Sequence, residues 1–263
     1  MQSKLIETGQ VKIEIELYGQ AGPLVVMAPA HSRGAADFNQ LGPALAAAGY
    51  RAAAVNPRGA GKSEGPMENL TLHDLAGDLA VVIEALKGAP AAVIGHAFGN
   101  RVARCLAADR PGLVRCLVLL AAGGKVPPRS PEFLEAAKML RTRGIAEEER
   151  KSALKAAFFA PDSDPSPWLT GMWPAAGRAQ SAAGQATPLE EWWSGGQAPI
   201  LVIQGEKDLC ASPENGRLLK EECGDRITLK DIPNAAHALL FEQPGAVQEA
   251  IVAYLKKYHP VFS

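Results

Sequence analysis

The apolar positions of this chain switch between two periods. "VKIEIELYG" alternates apolar and polar residues over 11–17, which predicts a half-buried strand. "LVVMAP", over 24–29, is a continuous apolar run and predicts a buried strand. "FNQLGPALAAAGY" then places Phe38, Leu41, Leu45 and Ala48 at helical spacing, with Gly49 as a stop. "RAAAVN" predicts a strand that runs into the turn "PRGAGKSEG". The clearest helix is "TLHDLAGDLAVVIEAL", whose Leu72, Leu75, Leu79, Val82, Ile83 and Leu86 form one face. Thr71 and Asp74 at its start have the spacing of a capping pair. "AAVIGH" and "VRCLVLLAAGG" predict two more buried strands, separated by a helix through "NRVARCLAA".

Strand and helix in alternation imply parallel strands with covering helices. The rhythm stops near Gly124 and resumes with the strand "PILVIQGEKD", the helix "ENGRLLKEEC" and the strand "RITLKDIP". A final helix carries Val247, Ile251, Tyr254, Leu255 and Tyr258 on one face. The expected fold class is α/β, a mostly parallel central sheet flanked by helices, built from residues 1–124 and 197–263. Residues 125–196 are expected to form an inserted helical cap, with runs such as "PEFLEAAKMLRTRG" and "AEEERKSALKAAFF". An insertion there lies over the strand ends, where α/β folds bind ligands. All four tryptophans fall in it, and the adjacent Trp192 and Trp193 are expected to pack the insertion's own core.

The 263 residues carry a net charge of −1 with both signs scattered, so no basic stripe points to nucleic acid. No apolar run has the length of a membrane span, and "MQSKLIETGQ" lacks a signal-peptide apolar region. A cytoplasmic protein with a small-molecule substrate is the expectation. The four cysteines show no CxxC pairing, and Cys105 and Cys116 read as small core residues. Neither a zinc-ligand spacing, a P-loop nor a dinucleotide fingerprint is present, so no metal and no cofactor is expected.

Chemistry concentrates at three places. "VIGHAFGNRVA" puts Gly95-His96-Ala97-Phe98-Gly99 between a predicted strand and a predicted helix, the context of a nucleophile elbow. "VIQGEKDLC" puts Asp208 just past a buried strand, and "IPNAAHALLFEQP" puts His237 after the last one. The order is elbow, acid, histidine. With "PRGAGKSEG", "GHAFG", "GEKD" and "AAHALLFEQP", the chain resembles an α/β-hydrolase-fold protein over almost its entire length. The resemblance implies that Ala97 occupies the nucleophile position, Asp208 is the orienting acid and His237 the base. It also implies an oxyanion hole from the amides of His31 and Phe98. "APAHSRG" has Pro29-Ala30 where the family usually has His-Gly, and Asn56 stands where it often has aspartate. Ser32, Arg33, Trp168 and Trp173 are candidates for substrate binding, Arg33 as a carboxylate partner or else a solvated loop residue. His96 is expected to pack the elbow, and His73 and His259 to lie at the surface. Ser32 or Cys210 could replace the missing nucleophile only within hydrogen-bond reach of the base.

A methyl group cannot attack a carbonyl. Losing the nucleophile of a serine triad costs on the order of 10⁶ in turnover, roughly 8 kcal/mol of barrier. Three readings stay open. The chain is a hydrolase of a small ester, lactone or thioester whose serine is replaced at position 97. Alternatively, Ala97 is native and the His237–Asp208 dyad works as a general base without a covalent intermediate. Or the chain is a non-catalytic ligand-binding homologue.

Overall fold

A computed structural model describes residues 1–142 and 144–261 of the chain. Eight strands form one sheet: β1 (Gln2–Thr8), β2 (Val11–Tyr18), β3 (Leu24–Ala28), β4 (Arg51–Val55), β5 (Ala91–His96), β6 (Val114–Leu120), β7 (Ile200–Gly205) and β8 (Ile227–Ile232). Their order is β1-β2-β4-β3-β5-β6-β7-β8. The β1–β2 and β2–β4 ladders are antiparallel, and every later pairing is parallel. The expected α/β architecture is therefore present, with one antiparallel edge.

The period of two explains the layers. Along β3, Leu24, Val26 and Ala28 face one core while Val25 and Met27 face the other. β5 repeats this, with Ala91 and Val93 on the first side and Ala92 and Ile94 on the second. The first core is covered by α2 (Leu72–Ala85), α3 (Phe98–Asp109) and α8 (Glu214–Cys223). The second is covered by α1 (Leu41–Ala47), the short α9 (Leu239–Glu242) and α10 (Pro244–Tyr258). Because both faces are covered, the central strands tolerate no polar alternation, and β3, β5 and β7 are buried at every position.

β1 has no predicted counterpart. Only Ile6 of its seven residues is buried, so the edge strand carries almost no apolar signal. The capping pair at α2 is formed: Asp74 Oδ2 accepts from the Thr71 amide at 2.8 Å, and Thr71 Oγ1 accepts from the Asp74 amide at 3.4 Å. Between β6 and β7 the chain forms α4 (Pro131–Leu140), α5 (Glu147–Phe158), α6 (Pro174–Ala186) and α7 (Leu189–Trp192), with no strand among the described residues there. α4 and α5 match the two predicted runs, although Arg143 of the first lies outside the described residues. α6 is rich in alanine and glycine and has no large apolar stripe to announce it.

Two expectations are corrected. Trp192 and Trp193 do not form a private core for the insertion. Both are buried in the main cluster with Val102, Leu106 and Leu117, and the Arg104 guanidinium lies 4.5 and 5.0 Å from their ring centroids. His259 is not a surface residue. It is 6% exposed, bonds through Nε2 to the Leu24 carbonyl at 3.0 Å and stacks on Tyr50.

Candidate active site

The turn after β5 stands near the middle of the sheet. Ala97 has φ 48° and ψ −106°, a conformation that side chains rarely adopt. It is held by its amide, which donates to the Leu120 carbonyl at 2.9 Å, and by its carbonyl, which accepts from the Asn100 amide at 3.2 Å. The two flanking glycines are required by proximity. A Cβ on Gly95 would lie 2.5 Å from the Asn100 backbone, and one on Gly99 would collide with the Ala28 carbonyl. Strand and helix thus approach too closely for any side chain, and the turn lifts position 97 off the sheet as a nucleophile elbow does. Phe98 opens α3, so its amide precedes the first intrahelical bond.

Asp208 follows β7 and His237 follows β8, so strand order brings together residues far apart in sequence. His237 Nδ1 meets Asp208 Oδ2 at 2.9 Å. The other carboxylate oxygen of Asp208 accepts the amides of Cys210 and Ala211 at 2.9 and 2.8 Å. Gln204 donates Nε2 to Asp208 Oδ2 at 3.1 Å. His96 packs beside His237 and bonds through Nε2 to the His237 carbonyl at 2.8 Å. It is fully buried and packs the elbow as expected, and burial pushes its pKa down to about 3. It is therefore neutral, and with Nε2 donating, Nδ1 carries no proton.

Burial also acts to lower the His237 pKa, but Asp208 and then Cys210 outweigh it and hold it well above 6.5. Cys210, a replacement nucleophile only if within reach of the base, stands beside the pair. Its amide binds Asp208, and its thiol lies against His237. Gln204 has no expected role. Its one signal was a polar residue inside the otherwise apolar strand "ILVIQG".

Of the remaining candidates, Trp168 reaches the dyad. Its ring is perpendicular to that of His237, with centroids 6.4 Å apart, and Phe158 lies 5.5 Å away on the same imidazole. These rings leave His237 only 6% exposed. Trp173 instead binds the loop after β3, its amide donating to the Ser32 carbonyl at 2.7 Å. Ser32 Oγ pairs with His31 Nδ1 at 3.1 Å rather than with His237. His31 Nε2 in turn meets Ser181 Oγ at 2.8 Å, and the His31 amide has no acceptor among the described residues.

Arg33 is neither solvated nor free to receive a carboxylate. It is 3% exposed, and Nε and Nη2 fork onto Asp37 at 2.9 and 2.5 Å. Nη1 donates to the Thr170 carbonyl at 2.6 Å, and the guanidinium covers the Trp168 ring at 5.2 Å. Its donors are spent tying the loop after β3 to the inserted segment. Asn56, the departure from the family's usual aspartate, braces the same loop: its side-chain oxygen accepts the Ala35 amide at 2.7 Å and its nitrogen donates to Glu14 at 3.0 Å.

An apolar cavity of about 30 Å³ lies beside Phe98, lined also by Pro29, Val55, Leu79 and Val102. It lies on the α2–α3 side of the elbow, and neither Trp168 nor Trp173, the substrate-binding candidates, lines it. Its volume suits one water molecule, not a substrate.

A family model described as "Serine aminopeptidase, S33" matches residues 20–244. The chain belongs to this family, within the α/β-hydrolase superfamily. BpoC of Mycobacterium tuberculosis, a provisional non-heme bromoperoxidase by name, is 29% identical over 249 residues, covering 90% of this chain and 94% of its own. A non-heme chloroperoxidase of Streptomyces lividans is 28% identical over 235 residues, 79% of this chain and 82% of its own. A thermophilic esterase of Thermogutta terrifontis superposes with a TM-score of 0.79 at 22% identity, covering 98% of this chain and all of that one, a likeness of fold. Among the described residues, no helix is long and apolar enough to cross a membrane.

Proposed function

We propose that this family member is an enzyme of small acyl compounds, esters, lactones or thioesters, that works through the His237–Asp208 pair without an acyl-enzyme at position 97. The observation that carries the reading is the 2.9 Å bond between His237 and Asp208, kept next to an elbow that is still strained at Ala97. In this reading His237 in its neutral form takes a proton from water, Asp208 steadies the resulting imidazolium, and the amides of His31 and Phe98 receive the developing oxyanion. The Ala97 methyl leaves room for that water where a serine hydroxyl would stand. Residues 125–196 act as a cap, and Trp168 and Phe158 move off His237 to admit substrate. Trp173 and Ser32 shape the neighbouring loop.

The test is a matched assay of this chain and Ala97→Ser on ester, lactone and thioester panels. The reading expects slow turnover by the Ala97 chain that is lost in His237→Ala, and a much faster acyl-enzyme route in Ala97→Ser. Turnover unaffected by His237→Ala defeats it, as does silence of both chains across all three panels.

A further inference from the structure

Between α2 and α3, three side chains of different chemistry converge. Cys105 and Asp109 are one helical turn apart on α3, and His73 projects from α2. Cys105 Sγ lies 3.4 Å from His73 Nδ1 and 3.6 Å from Asp109 Oδ2, and those two atoms are 2.8 Å apart. Zinc bonds of about 2.3 Å to sulfur and about 2.0 Å to nitrogen or oxygen give tetrahedral edges of about 3.5, 3.5 and 3.3 Å. Two observed edges already match, and the third has to open by about 0.5 Å.

The surroundings suit an ion. His73 Nε2, on the far side of the ring, meets Glu191 Oε2 at 2.7 Å. A carboxylate behind a ligating imidazole fixes the tautomer and ring plane and raises the basicity of the ligand nitrogen. Cys105 is fully buried and forms the floor, while the side chains of His73 and Asp109 are 39% and 32% exposed and form an open wall. An ion can enter from solvent and keep a water as its fourth ligand. Thiolate, imidazole and carboxylate together favour zinc over magnesium or calcium, which take oxygen.

We propose that His73, Cys105 and Asp109 form a zinc(II) site, with Glu191 supporting the imidazole and water completing the tetrahedron. On binding, a zinc–sulfur bond replaces the S–H bond, a zinc–nitrogen bond replaces the Nδ1–H bond that His73 directs at Asp109, and both protons pass to solvent. The ion clasps α2 to α3 and, through Glu191, to α7 of the inserted segment. The site departs from the expectation of no metal. Sequence spacing hid it because His73 and Cys105 are 32 residues apart on different helices.

The test is titration of the chelator-stripped whole protein with zinc chloride by calorimetry, and with cobalt(II) by absorption. The proposal expects one zinc per chain, a rise in melting temperature and a thiolate-to-cobalt charge-transfer band. Cys105→Ala and the surface variant His73→Gln should each weaken zinc binding at least tenfold and abolish the band, while Cys210→Ala keeps both. Absence of one-to-one binding overturns the proposal. So does binding that survives His73→Gln, or that is lost in Cys210→Ala and so belongs to the dyad.

Discussion

Arg33 shows how much a single residue's role depends on its partner. As a loop arginine it reads as solvent-facing or substrate-facing, yet its salt bridge to Asp37 is almost wholly buried. Removing one member of such a pair leaves the other charge without compensation, at a cost of about 3–5 kcal/mol. Arg33→Ala should therefore lower global stability by about that much in urea melts. A variant that melts like the parent but loses affinity only for anionic substrates would restore the carboxylate-binding role. His237 makes the second residue-scale prediction. Its pKa lies well above 6.5 because Asp208 and Cys210 overcome burial, so the neutral base accumulates only on the alkaline side. Cys210→Ala removes one of the two raising partners. The His237 ring should then titrate at lower pH, visible by NMR, and any base-dependent turnover should begin at lower pH as well. An unmoved titration would mean that the thiol has no hold on the imidazole.

At the scale of the element, the elbow is the place where local preference and structure disagree. Ala97 at φ 48° pays strain of about 1–3 kcal/mol, the usual toll at functional turns. Glycine would relieve it, less about 0.5–1 kcal/mol for its greater freedom in the unfolded chain. Ala97→Gly should stabilise the fold by about 1 kcal/mol and raise Tm by about 2–4 °C in thermal melts. A lowered Tm would show that the turn is not strained. The elbow was legible in the sequence because glycine spacing, a buried strand and an amphipathic helix all fell together. β1 was not, because one buried side chain in seven gives no period to detect. α6 escaped notice for a related reason, since small residues line its buried side. The positions of Asp208 and His237 could be read from their loops, but Gln204, Cys210 and the true partner of Arg33 are set by contacts across the fold. No local window holds both members of those pairs.

For the whole molecule, the buried histidines set opposite demands on pH. His96 is neutral when folded and takes a proton at about 6.5 when unfolded, so its contribution to stability falls as pH drops from 6.5 toward 3. The slope is about 1.4 kcal/mol per pH unit for one such group. His31 and His259, also shifted down by burial, add to the loss. His237 works the other way: its contribution is fully present below 6.5 and disappears as pH rises through its raised folded value. Denaturant melts should show stability falling below pH 6.5, and His96→Gln, whose amide can still donate to the His237 carbonyl, should flatten that fall. An equal slope in both proteins would count against a neutral His96.

The chain order of the elements also fixes a sequence in time. β5, the elbow and the loop after β3 are all made before the ribosome reaches β7 and β8, and Asp208 and His237 emerge only with the last third of the chain. A nascent chain released at residue 196 would carry the turn at Ala97 and the amides of His31 and Phe98 but neither Asp208 nor His237. The pairing of Asp208 with His237 therefore waits on the two parallel ladders that add β7 and β8 to β6, and α10, made after both residues, closes the second core over them.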